Sequence, residues 1–298
     1  MCLACYIDGV RRLIINADDL GLTPGVNRAI FEANANGVVT SATLMANSAA
    51  FANAVEGVRS RPGARLSVGC HLVLVDGAPI TQAEKVSSLT KASAEFRQGI
   101  GEFALAAQRR KLDPGEVETE AVAQFRKIWS AGIQPSHFDS HKHSHLFSQI
   151  LAPALRAARS CGISAVRNPF EPASSLPLAY LRRNRALLKR TLQVRALRMM
   201  RSKWLRSVKD AGFKTPDGSF GVITTGDLDA TLLHALLENM PEGTWELVCH
   251  PGYNDADLDK VRTRLRTSRV HELDLLTSPE TKKLIESLGI ELISYSEL

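Results

Sequence analysis

A parallel α/β fold, read as a (β/α) barrel of distorted or incomplete TIM-like outline, is what this 298-residue sequence predicts. Three observations carry that reading. Apolar strand-like runs alternate with amphipathic helical stretches along the chain, the pattern of a sheet buried beneath helices. Asp18-Asp19, His141 and His250 each follow a strand-like run, and barrel sites gather where strands end. No internal repeat or low-complexity linker divides the sequence. Residues 1–298 therefore read as a single domain, with residues 170–215 as a basic, mostly helical insertion within it.

The elements follow in order. Residues 12–16 form a buried strand. Thr23-Pro24 then opens a helix with Pro at a tolerated first position, Val26, Ile30 and Phe31 on one face, and Gly37 as its stop. Residues 38–46 make the next strand. A helix runs from Ser48 through Phe51, Val55 and Val58 to Pro62-Gly63. Leu66, Val68, Cys70, Leu72 and Leu74 alternate, marking a third strand with His71 on its other face. Residues 77–114 are less regular and read as a long loop with some helix. Residues 116–132 form a helix carrying Val117, Ala121, Phe125, Ile128 and Trp129. Residues 135–140 lead into a histidine-rich stretch, 150–160 are helical and 163–167 strand-like. Beyond the basic segment come a strand at 220–224, a helix at 228–237, a strand at 244–249, a helix at 278–288 and a last strand at 290–294.

Hydrophobic content of 44% and charged content of 23% suit a water-soluble globular chain. No apolar stretch approaches the ~18 residues of a spanning helix. Met1 to Cys5 lacks the basic region and apolar core of a secretory signal, so the expected location is the cytoplasm. Cys2 and Cys5 have metal-site spacing but no second pair to complete a zinc site, and Cys70 and Cys249 sit in apolar runs. A disulfide framework is not expected. The formal charge of +6 is local in origin. Between Leu181 and Asp210 eleven Lys/Arg face one acid, a local +10 that leaves the remainder at −4.

Each candidate site residue has a plain structural reading. Asp18-Asp19 suits a strand-end turn or helix cap, His71 a satisfied core histidine, His250-Pro251-Gly252 a turn leaving a strand. His137, His141, His143 and His145 suit a polar loop, although an extended backbone would set His141, His143 and His145 on one side, as chelation needs. The conjunction is more informative than any member. Carboxylate oxygen and imidazole nitrogen together suit Zn²⁺ and similar divalent ions, and a second carboxylate can take a proton from water. That combination points to a metal-dependent hydrolase. Asp18 and Asp19 cannot both face such a site from a regular strand, because neighbours point opposite ways; the strand must bend or end there.

The motifs resemble the YdjC-like carbohydrate deacetylases, the ChbG/HpnK family. The matching stretches are Asn16-Ala17-Asp18-Asp19-Leu20-Gly21-Leu22, Gly37-Val38-Val39-Thr40-Ser41-Ala42-Thr43-Leu44-Met45, Gly69-Cys70-His71-Leu72, His137-Phe138-Asp139-Ser140-His141-Lys142-His143 and Cys249-His250-Pro251-Gly252. They occur in family order over most of the chain. One departure is Leu20, where the family often has Phe. The resemblance implies removal of an acetyl group from an N-acetylated amino sugar. It implies one divalent metal ion, Mg or Zn, held by Asp19, His71 and His141, with Asp18 as catalytic base and His250 as general acid. His143 and His145 would stand behind the ligands or face substrate. Arg167, which follows a strand, could orient Asp18 by charge pairing.

In the basic segment, Leu197, Met200, Trp204 and Val208 fall at helical spacing beside cationic faces. An ordinary amphipathic helix packed on the barrel accounts for this. The sharper reading is a helix lying on an anionic membrane surface, at the inner face of the membrane. A basic insertion here is similar to the hopanoid-associated HpnK branch, whose substrate would be a membrane-resident glycolipid; soluble chitooligosaccharides are the alternative. A nucleic-acid-binding protein would explain the local charge but not the carboxylate pair, and no nucleic-acid motif is present, so no nucleic-acid partner is expected. A phosphoesterase is the enzymatic rival, since such a metal site also suits phosphate esters. The sequence leaves monomer and homodimer both open.

Overall fold

The computed structural model describes residues 9–172, 175–176, 180–181 and 184–298; Cys2, Cys5, Arg182 and Arg183 lie outside them. In chain order the elements are β1 (Arg11–Leu20), α1 (Pro24–Ala35), β2 (Ser41–Leu44), α2 (Phe51–Arg59), β3 (Ser67–Leu72), α3 (Ile100–Gln108), α4 (Pro114–Ser130), β4 (Phe138–Ser140), α5 (Ser148–Ser160), α6 (Arg185–Leu197), α7 (Arg201–Asp210), β5 (Gly218–Phe220), α8 (Ala230–Glu238), β6 (Gly243–Cys249), α9 (Ala256–Asp259), α10 (Thr267–Thr277), α11 (Pro279–Ser287) and β7 (Ile290–Leu292). Capping sets several helix starts. Thr23 accepts from the Val26 N–H ahead of Pro24, and Asp113 accepts from Gly115 and Glu116 ahead of Pro114.

All strand pairs are parallel. The order is β4-β3-β2-β1-β6-β5, and β7 pairs with the first residues of β1. The sheet curls until residues 165–166 link its two ends, bridging Phe138 on one side and Lys214 on the other. The result is a distorted (β/α) barrel. The strand expected at 163–167 is reduced to those bridges. The strand expected at 220–224 lies instead at Gly218–Phe220, because Gly221 (φ 93°) turns the chain immediately afterwards. Between His250 and Ser278, where no element was expected, α9 and α10 form.

Side-chain alternation sorts the interior from the shell. Leu13, Ile15 and Ala17 of β1, Ala42 and Leu44 of β2, Val68, Cys70 and Leu72 of β3, and Leu247 and Cys249 of β6 belong to the large apolar core. The opposite residues fill the barrel. Its floor is a small apolar plug of Ile14, Ala165, Ile293 and Tyr295. Above it the buried residues are polar: Asn16, Asp18, Thr43, His71, Asp139 and Glu246. Space there is tight. A Cβ on Gly69 would stand 2.5 Å from the His137 ring, which itself stacks on Tyr295 at 3.5 Å. Cys70, Cys161 and Cys249 are free thiols. Among the described residues no helix is long and apolar enough to cross a membrane.

Candidate metal centre and its surroundings

The carboxylate pair ends β1 at a break in its pairing. Between Ala17 and Leu20 the register with β2 shifts, and Asp19 takes a left-handed conformation (φ 67°), followed by Gly21 at φ 96°. This irregularity lets Asp19 face the site together with Asp18, whereas neighbours on a regular strand point to opposite faces. Asp and Asn tolerate the left-handed region better than most side chains.

Asp19, His71 and His141 converge. Asp19 Oδ1 lies 3.5 Å from His71 Nε2 and 3.6 Å from His141 Nδ1, and the two ring nitrogens are 3.3 Å apart. Donors about 2.1 Å from one ion at tetrahedral angles are separated by roughly 3.4 Å, so this triangle fits a divalent cation. The second grouping of possible donors, Asp18, His71 and Asp139, is occupied by Arg167, whose Nη1 lies 2.6 Å from Asp139 and whose Nη2 lies 2.6 Å from Asp18.

The groups behind the triangle orient it. Asp139 Oδ1 is 2.7 Å from His71 Nδ1. With the proton assigned to Nδ1, the His71 Nε2 lone pair faces Asp19 and His141. Burial disfavours a charged His71, but Asp139, Asp18 and Asp19 outweigh it and push its pKa up to about 9. A cation binding there at neutral pH has to displace that proton. Asp19 is buried, yet the Arg269 guanidinium and the two histidines hold its carboxyl well below the usual range. His141 Nε2 looks outward, 3.8 Å from Asp76.

Asp18 stands apart from the triangle. Arg167 grips it with both guanidinium arms, at 2.9 and 2.6 Å, and Asn16 Nδ2 donates to it at 3.1 Å. Burial alone would raise its pKa; Arg167 and His71 reverse that and keep it ionised. Arg167 also donates to Glu246, and Glu246 accepts from the Tyr295 hydroxyl at 2.6 Å. A fully buried guanidinium is thus matched by Asp18, Asp139 and Glu246. His250 follows β6, with Nε2 3.8 Å from Asp18 Oδ2. Burial pulls its pKa down to about 4 against the pull of Asp18 and Asp19, so it rests neutral. His141 and His250 keep partial exposure while Asp18, Asp19 and His71 are buried, so a substrate reaches the centre past those two rings.

The histidine-rich stretch is not extended. Residues His141–Leu146 form a 3₁₀ turn in which Lys142 and His143 are left-handed, so the three rings do not line one side. His145 is buried with both nitrogens engaged: Ser140 Oγ at 2.6 Å from Nδ1, and Nε2 donating to the Arg167 carbonyl at 3.2 Å. It braces the backbone of Arg167. His143 has no hydrogen-bond partner for its buried Nδ1, and burial lowers its pKa to about 3. His137 stacks within the barrel interior.

Sequence reasoning passed over Asp139, Glu246, Arg269 and Glu272. Asp139 is visible inside the His137–His143 motif, and Glu246 as a lone acid within an apolar run. Arg269 and Glu272 gave no signal, since α10 turns two charged residues inward and shows no clean apolar stripe.

The model of the YdjC-like protein family matches residues 12–287. Similar curated proteins include a carbohydrate deacetylase of Geobacillus stearothermophilus, 34% identical over 288 residues and covering 96% of this chain and 98% of that protein. Another is a chitooligosaccharide deacetylase of Yersinia enterocolitica, 35% identical over 293 residues, with 96% and 98% covered. Among solved structures, a putative cellobiose-phosphate cleavage protein from Enterococcus faecalis superposes with a TM-score of 0.78 at 30% identity, covering 97% of this chain and 98% of that one.

Proposed function

Because the chain belongs to the YdjC-like family, we propose that it is a metal-dependent carbohydrate deacetylase that hydrolyses the N-acetyl group of an amino sugar, in one domain with the basic helices as an insertion. The observation that carries this reading is an Asp-His-His donor triangle beside a separate, ionised Asp18. Relatives named for deacetylation of carbohydrates and chitooligosaccharides give the substrate class.

Asp19, His71 and His141 would hold Mg or Zn, which when bound polarises the acyl oxygen and makes a water more acidic. Asp18, fixed by Arg167, accepts the proton as the water oxygen bonds to the amide carbon. Nitrogen cannot leave as an amide anion. His250 rests neutral, so its proton has to arrive during the cycle, and its Nε2 lies 3.8 Å from Asp18 Oδ2. The proton taken by Asp18 passes through His250 to nitrogen as the C–N bond breaks, giving acetate and a free amine. The test is acetate release from N-acetylated oligosaccharides and glycolipids, with and without chelator. Acetate lost on chelation and restored by Zn or Mg is expected; chelator-insensitive release overturns the metal assignment, and phosphate release from phosphate esters in its place overturns deacetylation.

The basic helices support peripheral contact with an anionic bilayer. Leu188, Leu192 and Met199, 41%, 58% and 87% exposed, fall along one side of α6 and the turn after it. Exposed Arg185, Lys189 and Lys203 lie within four residues of them in the chain. Exposed apolar side chains interspersed with exposed cations along the chain suit an anionic lipid surface, and such a surface would bring the enzyme to a glycolipid substrate.

A further inference from the structure

The loop that carries His250 is docked on α10 through its backbone. Glu272 Oε2 accepts the His250 N–H at 2.6 Å, Arg269 Nη1 lies 3.5 Å from the His250 carbonyl, and the Gly252 N–H donates to the Arg269 carbonyl at 3.1 Å. The other arm of Arg269 donates to Asp19 Oδ2. Both charged side chains are buried. One guanidinium therefore spans from the carboxylate of the donor triangle to the peptide of the histidine that faces Asp18. Asp19 keeps a single oxygen, Oδ1, turned toward His71 and His141.

We propose that Arg269 is a positioning residue that holds Asp19 to one-oxygen binding and, together with Glu272, fixes His250 in register with the donor triangle. Resting on the deacetylase reading, the inference adds α10 as the element that couples cation geometry to proton delivery. Two physical consequences separate it from a merely structural role. A unit positive charge close to a bound cation opposes it, so removing the guanidinium tightens cation binding while freeing Asp19 to offer both oxygens. Glu272 touches the His250 peptide and not Asp19, so its loss disturbs proton delivery alone.

The experiment measures Zn affinity by calorimetry, kcat and KM for acetate release, and Tm, for the wild type, Arg269→Met, Arg269→Lys, Glu272→Leu and Glu272→Gln. Arg269→Met is expected to bind Zn about tenfold more tightly and to lose roughly tenfold or more in kcat, with KM little changed. Arg269→Lys restores the charge, and with it the weaker Zn binding, but not the two-armed grip, so kcat recovers only in part. Glu272→Leu keeps wild-type Zn affinity and loses kcat; Glu272→Gln, which retains an acceptor for the His250 N–H, regains most of it. Zn affinity and kcat falling in parallel with Tm in Arg269→Met, or kcat unchanged in folded Arg269→Met, overturns the inference while leaving the deacetylase reading intact. A wild type that binds no Zn overturns both.

Discussion

At the residue scale, Asp18 and Asp19 are neighbours in sequence with separate chemistry because their partners differ. Arg167 claims both oxygens of Asp18, whereas Arg269 claims one oxygen of Asp19 and leaves the other with the histidines. Asp18→Asn keeps the shape and one acceptor oxygen but cannot take a proton. Zn affinity within a few-fold of wild type is expected, with kcat lower by roughly 10²- to 10⁴-fold. His71→Ala and His141→Ala each remove a donor and should lose cation and activity together. A fully active Asp18→Asn enzyme sinks the base assignment. The histidine at 71 was legible because alternation from Leu66 to Leu74 set it against the apolar face. The left-handed turn at Asp19 was not, because no pattern in the sequence marks a register shift between β1 and β2. The reading of 141–145 as extended failed for a related reason. Local spacing carries no information on the left-handed residues that wind it into a 3₁₀ turn.

At the scale of elements, strands and their order along the chain were the legible part, since period-two alternation and the apolar shell face are written locally. What long-range contacts decide was not. Residues 163–167 look like a strand but survive as single bridges closing the barrel, and α10 buries Arg269 and Glu272 against the site as well as Leu273 and Leu276 in the apolar core. The basic helices divide similarly. Trp204 and Val208 of α7 are buried, as ordinary packing requires, and the Trp204 indole donates to the His145 carbonyl at 3.1 Å. The same segment thus packs on the machinery behind Arg167 and leaves Leu188, Leu192 and Met199 outside. If that outer side meets lipid, the wild type co-sediments with anionic vesicles, less so at high salt, and not with neutral ones. The double variant Leu188→Ser/Leu192→Ser should lose most of that binding with Tm within a few degrees of wild type. Failure of the wild type to bind either vesicle removes membrane contact from the account.

Over the whole molecule, many titratable groups are buried, and their shifts oppose one another. Burial holds His137, His143, His145 and His250 below the usual 6.5, at about 3 for His143 and about 4 for His250. The unfolded chain takes up protons on these four below pH 6.5 and the native one does not, so their contribution is complete above 6.5 and is lost as pH falls. Burial moves Glu171 and Glu272 the other way, to about 7, and raises Glu246 as well. The native state keeps these protons after the unfolded chain has released them near 4.5, so the contribution of Glu171 and Glu272 is lost as pH rises through about 7, and Glu246 acts in the same direction. His71, pushed up to about 9, likewise loses its contribution between about 6.5 and 9. From about pH 4.5 to 6.5 four histidines outnumber three glutamates, and stability climbs; beyond 6.5 only the declining contributions remain. Urea unfolding of the cation-free protein across pH 4 to 9 should therefore show a maximum near pH 6.5. Saturating Zn should flatten the alkaline side, because an ion on His71 Nε2 replaces the proton that distinguishes folded from unfolded there. A stability curve that keeps rising to pH 9 without cation would mean that the protein holds its buried histidines and glutamates in protonation states opposite to those assigned.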